Sequence, residues 1–229
     1  MLGLDRSKIS ALVEEVSAFL FAAECSGCGE PETALCCSCR AAMRPDPVSV
    51  RTPDGLMVWA GMRYEGSVAR VIRALKQDGQ TSLLRVLAPA VRAAAAEAMG
   101  RAEYTEKSGH GAFAVAVPTS AASMRSRGYR VPELLARQCE LPPLRALRIV
   151  QRVADQRGLD RAQRASNVRA SMRAKRDGHG LNVLLVDDVI TTGATFDEAA
   201  RALRQAGFTV LAGVAAAATP RHFDTRKVH

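Results

Sequence analysis

The chain has 229 residues, 48% of them hydrophobic, enough to bury one substantial core with a small appendage. No apolar run reaches the length that spans a bilayer, which sets aside a helical membrane protein. The formal charge of +9 is concentrated: residues 121–176 hold 14 Lys and Arg against four Asp and Glu. Such a segment suits a polyanion, pyrophosphate or nucleic acid, or is a solvated helix face in an arginine-rich chain.

From the N-terminus, Ile9, Leu12, Val13, Val16, Phe19 and Leu20 recur at helical spacing behind Ser7, a plausible N-cap, and predict a helix within residues 1–22. Glu14 and Glu15 interrupt its apolar stretch and no basic segment with a cleavage site precedes it, so it does not read as a signal peptide. The expected location is cytoplasmic.

Cys25-Ser26-Gly27-Cys28 and Cys36-Cys37-Ser38-Cys39 follow. Two CxxC pairs bring four thiolates to one tetrahedral ion, and five of the six cysteines fall within fifteen residues. Without a secretion signal, that favours metal over disulfides. The expected ligands are Cys25, Cys28, Cys36 and Cys39, with Cys37 able to replace Cys36. Four thiolates leave no open position, so the Zn²⁺ is structural in this reading and residues 23–47 form a minimal zinc ribbon. Cys139 stands alone and reads as a small buried residue.

Arg44-Pro45-Asp46-Pro47 punctuates the end of this module. Leu56–Tyr64 reads as a strand, and Val68, Val71, Ile72 and Leu75 predict a helix over 67–75. Lys76 closes it, either as a phosphate contact or as a cation serving the helix dipole. An Ala-rich helix is expected over 81–99, then a polar loop around 108–111. Phe113–Val117 reads as a buried strand running into Pro118-Thr119-Ser120. Arg125 and Arg127, beside Gly128, make a flexible cationic loop able to close over a pyrophosphate. A helix starting at Pro132 and running over 133–139 comes next. The segment from Arg148 to Val168 lacks a long hydrophobic period and reads as a surface or hood segment.

The centre of the chain is Val183–Thr195. Val183 to Val186 form a β-branched apolar run that ends in Asp187 and Asp188, and the loop Val189-Ile190-Thr191-Thr192-Gly193-Ala194-Thr195 leads into a helix. Backbone amides and the helix dipole make that loop an anion seat; the threonines add hydroxyls and Gly193 permits close approach or positive φ. The two carboxylates suit sugar hydroxyls or a Mg²⁺ carried by a polyphosphate. The plainer alternative is a buried strand with an ordinary turn. The helix ends at Gly207, and a strand over 209–215 completes a strand–helix–strand unit, hence a parallel sheet. Residues 220–229 form a basic tail.

Taken together, the cysteine ribbon, Tyr64-Glu65-Gly66 with Ala74-Leu75-Lys76, Val115-Ala116-Val117-Pro118, Arg125–Tyr129, Asp155-Gln156 with Asn167-Val168, and Leu184–Thr195 resemble the ComF family of double-zinc-ribbon, phosphoribosyltransferase-like proteins. The resemblance implies a type I phosphoribosyltransferase fold over residues 48–219, a mainly parallel α/β sheet flanked by helices with the site at the carboxyl ends of the strands. It also implies a Mg²⁺-dependent site for phosphoribosyl pyrophosphate (PRPP). Asp187 and Asp188 would hold the ribose hydroxyls, Val189 and Thr191–Thr195 the 5′-phosphate, and Arg125, Arg127 and Lys76 the pyrophosphate. Family members are associated with DNA uptake, so single-stranded DNA and competence-machinery proteins are the implied partners. The alternatives are a non-catalytic DNA- or partner-binding factor that keeps the loop, and a PRPP-sensing regulator. The family's usual Asn-Gln after the Arg-Gly-aromatic phrase is replaced here by Arg130 and Val131. The acceptor of the phosphoribosyl group is not legible.

Overall fold

The computed structural model describes residues 24–31, 33–101, 111–119, 124, 128–150 and 170–220. The expected N-terminal helix, Arg125 and Arg127, most of the hood segment and the basic tail lie outside these residues. Among the described residues no helix is long and apolar enough to cross a membrane.

The described residues form seven strands: β1 (Val48–Arg51), β2 (Met57–Ala60), β3 (Phe113–Ala116), β4 (Leu147–Ile149), β5 (Met172–Ala174), β6 (Asn182–Ile190) and β7 (Thr209–Ala218). Five form one sheet in the order β1-β2-β7-β6-β3. The pairs β2–β7, β6–β7 and β3–β6 are parallel, as expected for a strand–helix–strand chain, and β1 adds an antiparallel edge. The strand expected over 56–64 is shorter, stopping at Ala60, while β1 and the β4–β5 ribbon were not anticipated. β1 alternates exposed and buried residues over only four positions beside Pro47, too short a period to register in the sequence.

Helices cover both faces. Gly66–Gln77 buries Val68, Val71, Ile72 and Leu75, the i, i+3, i+4, i+7 stripe of an amphipathic helix. With Leu84–Arg101 and Val131–Ala136 it covers one face, in a core that also takes Leu184 and Val186 of β6. Ala194–Gln205 covers the other face through Phe196, Ala199, Ala200 and Leu203, packed with Val183 and Leu185. The central strand β7 ends in four fully buried alanines, Ala215 to Ala218, whose small side chains let elements on both faces approach closely. Cys139 is buried as expected, though it lies in the turn after the Val131–Ala136 helix, and burial pushes its thiol up to about 12.

An ion pair between a buried glutamate and a partly exposed arginine ties the small β4–β5 ribbon to this second face. Glu198 accepts the Met172 N–H at 2.8 Å and two guanidinium contacts from Arg201 at 2.7 and 2.8 Å, and Arg201 donates onward to the Met172 carbonyl at 3.2 Å. Burial alone would raise the Glu198 carboxyl, but the Arg201 and Met172 donors outweigh it and hold it below its ordinary value. A depressed acid stabilises the fold above its unfolded pKa, and that stability is lost as pH falls through the folded value. Glu198→Gln should therefore cost about 1.5–3 kcal/mol at pH 7. The deficit should shrink below about pH 4.5, as read by urea unfolding across pH; a deficit independent of pH would contradict the assignment.

Candidate functional site

Successive residues of a strand point to opposite faces, so the end of β6 serves both layers of the molecule. Asp187 continues the row of Val183 and Leu185, and Asp188 that of Leu184 and Val186. Both acids were expected to end the strand. Instead β6 runs on to Ile190, because the ladder with β7 continues through Asp187–Ala215, Val189–Ala217 and Ile190–Ala218 regardless of side-chain charge. The acids still lie at the carboxyl end of a central parallel strand, where open α/β sheets bind ligands.

On its side, Asp188 meets Lys76, whose Nζ lies 2.8 Å from Oδ1. Lys76 thus touches the acid pair from the last turn of its helix, a position compatible with both readings of this lysine. The end of its helix is also the anchor for Tyr129, whose hydroxyl donates to the Leu75 carbonyl. That bond ties Tyr129 to the last turns of the helix that carries Lys76. At the end of β3, Thr119 Oγ1 is buried with no hydrogen-bond partner among the described residues.

On the other side lies the loop. Gly193 is the N-cap of the Ala194–Gln205 helix, with φ 82°, the left-handed region, and offers no side chain of its own to the helix amides. It is also closely packed: a Cβ there would fall 2.8 Å from Thr52 Cγ2. Both uses expected of this glycine are realised. Thr191 and Thr192 are exposed, Val189, Ala194 and Thr195 half-buried, and Thr192 Oγ1 accepts the Ala194 N–H at 3.4 Å. Asp197, in the first turn, does not turn back on these amides. It accepts the Thr52 hydroxyl and, at 3.2 Å, the Asp54 N–H. The acid of the first turn thus leaves the positive end of the helix, apart from the long Thr192 contact, suited to an anion, while it fastens the β1–β2 turn beside it. Asp197 and Thr52 went unrecognised in the sequence because an acid in a first turn looks like a dipole partner and its real partner is 145 positions away.

The electrostatics at the centre are unrelieved. Desolvation is the main cause that pushes the Asp187 carboxyl up to about 8, and the neighbouring Asp188 adds to it; the Asp188 N–H at 2.8 Å and Lys76 offset only part of the rise. Hard oxygen donors beside an anion seat fit a Mg²⁺ that arrives with a polyphosphate.

The second cluster is the cysteine one. Ligand atoms of Cys25, Cys28, Cys36 and Cys39 all lie within 4.8 Å of one another, and Cys28 Sγ is 3.6 Å from Cys36 Sγ. Cys37 is exposed and outside the group, which decides between the neighbouring thiols in favour of Cys36. The first pair sits in a turn; the second opens the helical turn Cys37–Ala41, with Cys36 as its N-cap. Burial opposes ionisation of Cys25, but the Cys36 N–H at 3.3 Å and the Gly27 N–H at 3.4 Å outweigh it and lower that thiol to about 6. Donors aimed at sulfur and a closed set of four soft ligands fit a structural Zn²⁺.

An acid whose folded pKa lies above its unfolded one costs the fold stability as pH rises between the two values. In the absence of PRPP and divalent ions, Asp187→Asn should therefore be more stable than the wild type by a margin that widens upward from the ordinary value of 3.8 and levels off near 8. Thermal unfolding of both proteins across that range checks this; a constant margin would show that Asp187 keeps an ordinary pKa.

No curated protein matches the chain. Residues 124–225, somewhat under half of it, match the phosphoribosyl transferase domain, and this span contains β6, the Thr191–Thr195 loop, the helix it opens and β7. The chain therefore carries a phosphoribosyl transferase domain.

Proposed function

We propose that the chain binds PRPP and transfers its phosphoribosyl group to an acceptor, with residues 48–219 as the transferase unit and 23–47 as a structural metal module. The observation that carries this is the pairing, at one strand end, of two carboxylates with a helix N-terminus opened by Gly193 on one side and Lys76 on the other. Amides of the Thr191–Thr195 loop seat the 5′-phosphate, and Asp187 and Asp188 accept hydrogen bonds from the ribose hydroxyls. Lys76, with Arg125 and Arg127, takes the pyrophosphate. The bond from the anomeric carbon to pyrophosphate oxygen breaks as the bond to the acceptor forms, and the electron pair leaves with pyrophosphate. Such an oxocarbenium-like displacement asks for positioning and charge stabilisation more than for a strong base. When bound, Mg²⁺ neutralises the pyrophosphate. Calorimetric titration with PRPP and Mg²⁺ should show saturable binding to the wild type, weakened about a hundredfold or more in Asp187→Asn/Asp188→Asn. Equal affinity in the two proteins would remove these acids from the site.

We further infer the ComF type, on the order of a four-cysteine cluster ahead of this transferase domain in one chain. The role in DNA uptake that goes with it is supported by the excess of Lys and Arg over 121–176. With only 4% aromatic residues, contacts to phosphate would dominate over base stacking. Single-stranded DNA should accordingly bind at low salt and lose affinity by more than tenfold between 50 and 200 mM salt. Failure to bind at 50 mM, or binding indifferent to charge reversal of Arg161 and Arg164, would leave PRPP chemistry as the whole function.

A further inference from the structure

The cysteine cluster is bonded along the helix that carries Lys76. Near the start of Gly66–Gln77, Cys39 Sγ donates to Ser67 Oγ at 3.3 Å. Arg70 Nε donates to the Gly27 carbonyl. Just past the far end, Ser26 Oγ donates to Gln80 Oε1 at 2.5 Å. Lys76 therefore sits between two attachment points of one knuckle, Gly27 by way of Arg70 and Ser26 by way of Gln80. The packing leaves no slack: a Cβ on Gly27 would fall 2.5 Å from Cys39 Sγ and 3.3 Å from Ser67 Cβ. Cys25, Leu35, Cys39 and Met43 share one buried cluster with Val68, Val71, Ile72 and Leu75 of the helix.

So short a knuckle has little core of its own, and a bound ion is what holds two CxxC pairs in one shape. The positions of the Gly27 carbonyl and the Ser26 hydroxyl follow from that shape, and Arg70 and Gln80 follow them. A lysine that must meet a pyrophosphate oxygen loses much of its effect if displaced by an ångström.

We propose that the metal-bound cysteine cluster positions Lys76, with Arg70 and Gln80 as the positioning residues that carry the shape of the knuckle to the lysine helix, so that metal occupancy sets the affinity of the site for a pyrophosphate-bearing ligand. This rests on the reading of Lys76 as a pyrophosphate contact. The experiment measures two quantities on the full chain: hydrogen exchange at the amides of Leu75, Lys76, Gln77 and Asp78, and affinity for PRPP with Mg²⁺. The samples are zinc-loaded wild type, the same protein after chelation, and zinc-loaded Arg70→Ala and Gln80→Ala, with zinc content assayed in each. Chelation, and each variant with its zinc retained, should speed exchange at these amides and weaken PRPP binding, each by about tenfold. In a Lys76→Ala background the same changes should cost no further affinity. Unchanged exchange and affinity in the variants, or losses that persist undiminished without Lys76, overturn the proposal. A wild type that does not bind PRPP sinks the functional reading instead, and exchange then decides the positioning claim alone.

Discussion

The site depends on a constraint of β geometry: neighbouring residues of a strand cannot face the same way. Asp187 and Asp188 are adjacent, so each belongs to a different layer. One faces the side of the Gly193 loop and its helix, and the other reaches Lys76 at 2.8 Å. A single strand end thereby links the two halves of the core, and what holds each half in place also holds one wall of the site. On the loop side, Asp197 fastens the β1–β2 turn and Glu198 fastens the β4–β5 ribbon, from consecutive positions of one helix. Neither acid is spent on the helix amides. On the lysine side, the helix is held by hydrogen bonds to Ser26 and Gly27 and by its apolar stripe.

What was legible in the sequence is what local chemistry determines. The apolar run of β6 and the Thr-Gly-Ala loop announced strand, turn and helix because each residue type has few other uses in that order. The CxxC spacing announced the cluster for the same reason, and the structure brings together the four thiols chosen. The stripe of Val68, Val71, Ile72 and Leu75 fixed a helix to within two residues at either end. What was not legible is set by partners far along the chain. Lys76 had two adequate local explanations, and its contact with Asp188, 112 positions on, is part of neither. The β1 strand and the β4–β5 ribbon are too short to carry a period, and their partners define them as strands. The end of β6 was misplaced because side-chain polarity was read as a boundary, although the ladder needs only backbone.

The cost of the arrangement points to its use. A carboxyl pushed up to about 8 beside a second acid is a standing penalty, and Lys76 relieves only part of it. A fold selected for stability alone would gain by replacing Asp187 with a neutral isostere. On the proposed reading the penalty is the counterpart of affinity. Ribose hydroxyls and a ligand-borne cation favour the ionised acids, while the pyrophosphate draws Lys76 and the 5′-phosphate meets a helix N-terminus whose cap residue is a glycine. Each unsatisfied feature of the free site then has a complementary group on one ligand. A plain strand and turn would account for the apolar run, but it gives no reason for keeping an unfavourable acid pair within one loop's reach of a left-handed glycine at a helix N-terminus.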